Sequence, residues 1–445
     1  MYTNRSRSRK RRSVMVVPVA IAALMAIGVT TSNVAAAATK TTKKAATTKK
    51  ATATTKKSTT AAPAGSSAPV TTPTPASAAP ANKDPYKISM MVDLTGSLGT
   101  NGIGAAAGFT AYFKSVNDAG GINGHPIDMN ASVDSLSTTD GAQAAAAKVV
   151  GEKPTAIVAY GSTSGLAAIT PILSAAKVPF VSAQVIDSMI LPTPLPWFFT
   201  TSAAQAQLVT MYVNETKNLL GGLTGKRIGL EAVNTAGADN TVNGLRTAFA
   251  AAGAQVVSIE RTNLTGVSSF ASQAANRAAA KPDLIIAQDT NAVTALVVKA
   301  LATAGYNSPI LITQGAADDG TLSAIGANWV YGPRSYYGPL TDDIMSKTAK
   351  RYGLEDKVIG GIFPVAWAAA VATVEALKKC GYPCPPDKFI TSMESLTTYD
   401  AGPRVAFGPL GFSKEKHYAP KVAQFYTWSS TAGRSAPDGP PVAMD

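Results

Sequence analysis

From Tyr86 onward, short apolar runs alternate with longer amphipathic stretches. Runs such as AIVAY (156–160) and DLIIAQ (283–288) are apolar almost throughout, as parallel strands buried on both faces are. The pattern predicts strands over 87–93, 126–134, 155–160, 179–183, 226–233, 254–260, 283–288 and 309–313. It predicts helices over 102–119, 138–151, 164–176, 203–220, 238–252, 267–280, 291–305, 342–353, 362–379 and 386–396. Strands alternating with helices imply an α/β fold of doubly wound, Rossmann-like sheets. The order fills about 86–199 and repeats over about 226–330, so two lobes are expected. The proline- and aromatic-rich LPTPLPWFFTTSAA (191–204) and the irregular YGPRSYYGPL (331–340) read as crossings between them.

The residues before this pattern are of another kind. Six basic residues precede Ser13, an apolar stretch runs from Val14 to Val29, and the small residues NVAAAA follow. That is the layout of an export signal. Arg11-Arg12 leaves a twin-arginine variant open, and the apolar run is nearly long enough to stay as a membrane anchor. No cysteine lies near the cleavage site, so a lipid-anchored lipoprotein is excluded. Residues 38–82 are almost entirely Ala, Thr, Lys, Pro and Ser and cannot bury enough apolar surface to offset ordering. They read as a disordered linker, a spacer whose lysines can also touch anionic envelope polymers.

Charge changes the picture by where it falls. The 445-residue chain has a formal net charge of +13, but residues 1–83 hold fourteen basic residues and no acid, so the remainder carries −1. A near-neutral body gives no footprint for nucleic acid. The two cysteines, Cys380 and Cys384, enclose a Gly- and Pro-containing loop; in an exported chain such a pair reads first as a disulfide. The only histidines, His125 and His417, are far apart, and no metal-ligand set or cofactor motif is present.

Two loops leave the ends of buried strands in the first unit, one at Ser97–Gly102 and one at Gly161–Gly165. In open α/β sheets such loops line the ligand crevice. Gly161-Ser-Thr-Ser-Gly165 has the outline of a nucleophile elbow, but no histidine base or acid is placed for it. The GGLTGKR run (221–227) lacks phosphate-loop spacing, and the first-strand glycines do not form a dinucleotide fingerprint. The chain is read as a binder, not an enzyme.

Four segments carry a family likeness: VDLTGSLGTNGIGAAAGFTAYFKSVNDAGGINGHPI, VAYGSTSGLAAITPILSAAKVPFVSA, WFFTTSAAQAQ, and ALKKCGYPCPPDKFITSMESLTTYDAGP followed by FGPLGFSKEKHY. Together, over about 86–430, they resemble the type I periplasmic solute-binding proteins of ABC transporters, in the branched-chain amino-acid group. The resemblance implies two lobes joined by a three-segment hinge that closes on a solute, and a membrane permease as partner. It divides the chain into 1–37 (signal peptide or anchor), 38–83 (linker), 84–199 with 337–403 (N-terminal lobe), 200–336 with 404–432 (C-terminal lobe) and 433–445 (tail).

Candidate ligand-binding residues follow from strand ends and that likeness. Ser162 and Thr163 begin a helix, where free amides and hydroxyls suit a carboxylate, though a serine there also serves as an N-cap. Asn101, Ser182, Ala183 and Gln184 face the same crevice by topology. The second lobe offers Asp289, Thr290 and Gln314. Relatives pair a ligand ammonium with an acid from this lobe; here Gln314 lacks the charge, which Asp289 or Asp318 could supply, and an ammonium partner survives if Asp289 projects into the cleft. Tyr160, Tyr336, Tyr337 and Trp367 are aromatic candidates that can equally be packing residues. The expected partner is a small polar solute, an amino acid, amide or organic acid, in the periplasm or cell envelope. A ligand-sensing subunit and a non-transport envelope module are the alternatives.

Overall fold

A computed structural model describes residues 82–444 except 131, 235, 263–269, 339–342, 359 and 360. The export segment and nearly all of the linker lie outside the described residues. The chain divides into units 1–71 and 72–445, and every described residue belongs to the second.

The first lobe opens with β1 (Tyr86–Val92), α1 (Gly99–Asp118), β2 (Ile127–Met129), β3 (Val133–Asp134), α2 (Thr139–Gly151) and β4 (Ala156–Tyr160). It continues with α3 (Thr163–Ala168), α4 (Thr170–Ala176), β5 (Phe180–Ser182), α5 (Asp187–Ile190) and β6 (Phe198–Thr200). Its sheet runs β2-β1-β4-β5-β6, with β3 also on β1, and every pairing is parallel. Alternation sorts the strands onto two cores. Ile88, Met90, Val92, Val158 and Tyr160 point to one face; Met91, Ile157 and Ala159 point to the other.

The second lobe contains α6 (Gln205–Leu220), β7 (Arg227–Val233), α7 (Ala236–Ala251), β8 (Gln255–Thr262), α8 (Ala271–Ala280) and β9 (Leu284–Gln288). α9 (Asn291–Thr303), β10 (Ile310–Ile312), α10 (Asp319–Ile325) and β11 (Val330–Arg334) follow. α11 (Ile344–Arg351), α12 (Ile362–Cys380) and α13 (Pro386–Glu394) pack their apolar faces into the first-lobe core. β12 (Val422–Ser429) and β13 (Arg434–Ala443) then complete the second sheet, in the order β13-β12-β11-β10-β9-β7-β8. Only the pairs made by β12 are antiparallel.

The chain passes between lobes at Thr200–Gln205, Arg334–Tyr337 and Ala419–Val422. Hydrogen bonds bind these crossings into one hinge. The Tyr336 hydroxyl donates to the Thr201 carbonyl at 2.5 Å, Thr200 N–H to the His417 carbonyl at 2.8 Å, and Ala419 N–H to the Thr200 carbonyl at 3.0 Å.

Several expectations are corrected. The predicted helix 164–176 breaks at Ile169, because Pro171 lacks an N–H and cannot sit inside a continuous helix. The predicted strand 126–134 is two short strands, β2 and β3. Residues 404–432 do not all join the second lobe: Val405, Leu410, Phe412 and Ala419 fill the first-lobe core, which delays the last crossing to Ala419. The segment read as irregular (331–340) holds all of strand β11 but its first residue, and the segment read as a tail (433–445) contains β13. Their prolines disguise them; β13 tolerates Pro437, Pro440 and Pro441 because it is the sheet edge.

Candidate functional site

The first sheet reverses its strand order between β1 and β4, the second between β7 and β9. At the first reversal the buried Asp93 ends β1. Its carboxylate accepts from the Ser162 N–H at 2.9 Å and from the Ser135 hydroxyl. A Cβ on Gly102 would lie 1.7 Å from the Asp93 carbonyl oxygen, so only glycine lets α1 start this close to β1. Asp134 holds the intervening loop. Burial raises its pKa, but donors outweigh burial and hold it below the ordinary value: the Leu136, Leu94 and Thr95 amides and the Thr95 hydroxyl.

Each first-lobe candidate can be placed. The Ser162 hydroxyl caps α3, accepting from Gly165 N–H at 3.1 Å, and Thr163 is exposed beside it. Asn101 donates to the Tyr160 hydroxyl at 3.3 Å; Tyr160 is buried, and burial chiefly pushes its pKa up to about 12. Ser182 and Ala183 are fully buried and used within the lobe. The Ser182 hydroxyl accepts from Gln184 N–H at 2.9 Å, and the Ala183 carbonyl accepts from Ser202 at 2.8 Å. The Gln184 side chain is half-buried. Trp367 is 2% exposed in the first-lobe core, its indole N–H on the Ala401 carbonyl at 3.3 Å. The spacing of α12 already suits core packing. Tyr337 lies in the hinge, its ring centroid 3.9 Å from that of Phe407.

In the second lobe, Thr290 precedes α9 and is half-buried. Gln314 follows β10, and its carbonyl oxygen is 3.4 Å from where a Cβ on Gly361 of the first lobe would sit. Asp289 is 3% exposed and turned onto its own lobe. Thr262 donates to its Oδ1 at 2.5 Å; among the described residues its Oδ2 has no hydrogen-bond partner. Burial drives its pKa up to about 6, against the pull of Thr262 and Arg277. Behind it Glu231 and Arg277 form an ion pair of 2.6 Å with both side chains 0% exposed. Burial first, then the nearby Asp289 charge, raises Glu231 to about 8. Asp289 does not reach into the cleft in this placement, whereas Asp318, the other acid expected to supply the charge, lines a cavity between the lobes.

The sequence reading missed Asp93, the Glu231–Arg277 pair beside Asp289, and Arg334. A signal existed for Glu231, an acid inside the apolar strand IGLEAV. Arg334 and Asp319 border the same cavity, an open space of 250 Å³ at the carboxyl ends of β10 and β11 that Val358 and Gly361 line from the first lobe. The expected Cys380–Cys384 disulfide is present, joining the end of α12 to the loop before α13. Among the described residues no group of three or more His, Cys, Asp or Glu could hold a metal ion, and no helix is long and apolar enough to cross a membrane.

A family model described as periplasmic binding protein matches residues 85–434. A search of curated proteins found no match. Solved structures share the fold. A branched-chain amino-acid ABC transporter protein from Thermus thermophilus with bound valine has a TM-score of 0.70 at 15% identity, covering 81% of this chain and 97% of its own. An ABC transporter solute-binding protein from R. palustris in complex with 4-hydroxybenzoate has a TM-score of 0.68 at 17% identity, covering 81% and 97%. A fatty acid ABC transporter substrate-binding protein from Thermomonospora curvata has a TM-score of 0.67 at 17% identity, covering 82% and 94%.

Proposed function

Because this chain belongs to the periplasmic binding protein family, we propose that it captures a small polar solute between its lobes outside the cytoplasm and delivers it to an ABC permease. The observation that carries the reading is the cavity of 250 Å³ lined from both lobes beside a three-strand hinge. A solute seated there touches both lobes only when they are together, so its binding energy favours the closed form. Structural relatives bound to valine and to 4-hydroxybenzoate, and one named for fatty acids, support solute capture without fixing the solute class. Asp289 is turned away from a ligand ammonium, while Asp318 lines the cavity, so the solute is an amino acid, amide or organic acid. Of the ligand-binding candidates read from the sequence, only Asp318 and Tyr336 line this cavity; Ser162, Thr163, Asn101, Gln184, Thr290 and Gln314 are proposed as contacts of a solute that extends beyond it, with Ser182, Ala183, Tyr160, Tyr337 and Trp367 behind them.

The test is a thermal-shift screen of the full chain against amino acids, amides and organic acids. A true solute at a hundredfold excess over its Kd adds about 2.7 kcal/mol of stability. A uniform lack of response across the screen would overturn solute capture. Delivery is tested separately: deleting the protein should abolish uptake of the radiolabelled hit by cells, and unchanged uptake would remove the permease from the scheme.

A further inference from the structure

The cavity between the lobes has a chemistry of its own, and the inference drawn from it rests on the solute-capture reading. Three glycines line it, Gly320, Gly338 and Gly361, together with Tyr336, Asp319 and Arg334. Their missing side chains leave the space open: a Cβ on Gly361 would meet nothing closer than 3.4 Å, and one on Gly338 would stand 3.2 Å from Arg334 Nη1.

Arg334 is 7% exposed and held on three sides. Its Nε donates to the Ala317 carbonyl, its Nη2 to Asp319 Oδ1 and the Ser435 hydroxyl at 3.1 Å each, and its Cζ sits 4.3 Å over the Tyr426 ring. Nη1, on the Gly338 side, has no hydrogen-bond partner among the described residues. Asp319 also accepts from Ser435 at the same Oδ1, which leaves Oδ2 without a described partner. Asp318, the next residue, spends both oxygens on Thr321, at 2.9 and 2.8 Å.

The cavity therefore offers one fixed donor, Arg334 Nη1, and one acceptor, Asp319 Oδ2. A ligand carboxylate would satisfy Arg334 but meet Asp318 and Asp319 with like charge. An ammonium would satisfy Asp319 but press its protons toward Nη1. A hydrocarbon end would leave a nine-tenths buried guanidinium edge unpaired, which is the costly case. A carboxamide satisfies both, its oxygen accepting from Nη1 and its NH₂ donating to Asp319. We propose that this cavity is a subsite for the uncharged carboxamide end of the solute, read by Arg334 and Asp319.

Calorimetry of the full chain against three matched sets tests this: glutamine, glutamate and norvaline; succinamate, succinate and butanoate; 4-carbamoylbenzoate, terephthalate and 4-methylbenzoate. Within whichever set binds, the carboxamide should bind at least tenfold tighter than its carboxylate and methyl partners. Gly361→Leu, which fills the cavity, should erase that preference, and Gly361→Ala should reduce it. Binding without the preference, or a preference that survives Gly361→Leu, overturns the subsite and leaves solute capture standing. Binding by none of the nine overturns the subsite, while a hit elsewhere in the wider screen would still uphold capture.

Discussion

Replacing Arg277 by methionine removes one buried cation while keeping most of its volume. Arg277 and Glu231 are 0% exposed and 2.6 Å apart, and Asp289 approaches the same pair. Burial lifts Glu231 to about 8 and Asp289 to about 6, from ordinary values of 4.5 and 3.8. One guanidinium balances one carboxylate, so near neutrality the cluster keeps a proton shared between its two acids. In Arg277→Met the remaining carboxylate has no counter-ion and must take up a second proton. Protonating a group of ordinary pKa near 4 at pH 7 costs ~1.4 kcal/mol for each of roughly three pH units, about 4 kcal/mol in all. That matches the ~3–5 kcal/mol expected for breaking a buried ion pair from one side.

The sign follows from proton counts. Both acids have folded pKa values above their unfolded ones, so the native state binds more protons and stability falls as pH rises. In the wild type the loss runs from about 3.8 to about 6 for Asp289 and from 4.5 to about 8 for Glu231. The variant keeps both protons throughout, whereas the wild type releases the Asp289 proton above about pH 6 and the Glu231 proton above about pH 8, so the deficit should change little near pH 5 and grow by ~1.4 kcal/mol per pH unit around pH 7. Urea denaturation at pH 5, 6, 7 and 8, followed by tryptophan fluorescence, measures it. A deficit of the same size at every pH would refute the shared-proton account.

Gly102→Ala should cost ~3 kcal/mol or more by urea denaturation, since its Cβ would collide with the Asp93 carbonyl. Gly151→Ala, at the end of α2 with open space around it, should instead gain ~0.5–1 kcal/mol. Ser162→Ala removes the α3 cap and should lower unliganded stability by ~1 kcal/mol, with a further loss of solute affinity in calorimetry; an unchanged affinity would remove Ser162 from the site. Reducing Cys380–Cys384 frees a loop of about five residues and should lower stability by ~2 kcal/mol in paired melts with and without reductant.

How much of this was legible differs by feature. Apolar runs such as AIVAY and DLIIAQ specified the central strands, because a strand buried on both faces leaves no room for polar positions. Strand β13 was hidden because an edge strand tolerates proline, and β11 because its Pro333 lies past the residues that pair with β10; each pattern is then that of a loop. Local spacing likewise marked the loops at Ser97–Gly102 and Gly161–Gly165, which the strand reversals of the first sheet require.

By itself the sequence determined the class of fold, the two-unit repeat, the disulfide partners and the absence of a catalytic motif, all of which are written in neighbouring residues. The tertiary structure alone decided which polar groups remain free. Ser182, Ala183 and Trp367 spend theirs on partners 2 to 34 residues away, and Asp289 turns to a pair formed by β7 and α8. Arg334 meets Asp319 within the second lobe, and it faces Gly361 across the cavity only because the chain returns across the hinge. Hydrogen-bond satisfaction is a property of three-dimensional neighbours, and one-dimensional spacing carries no record of it.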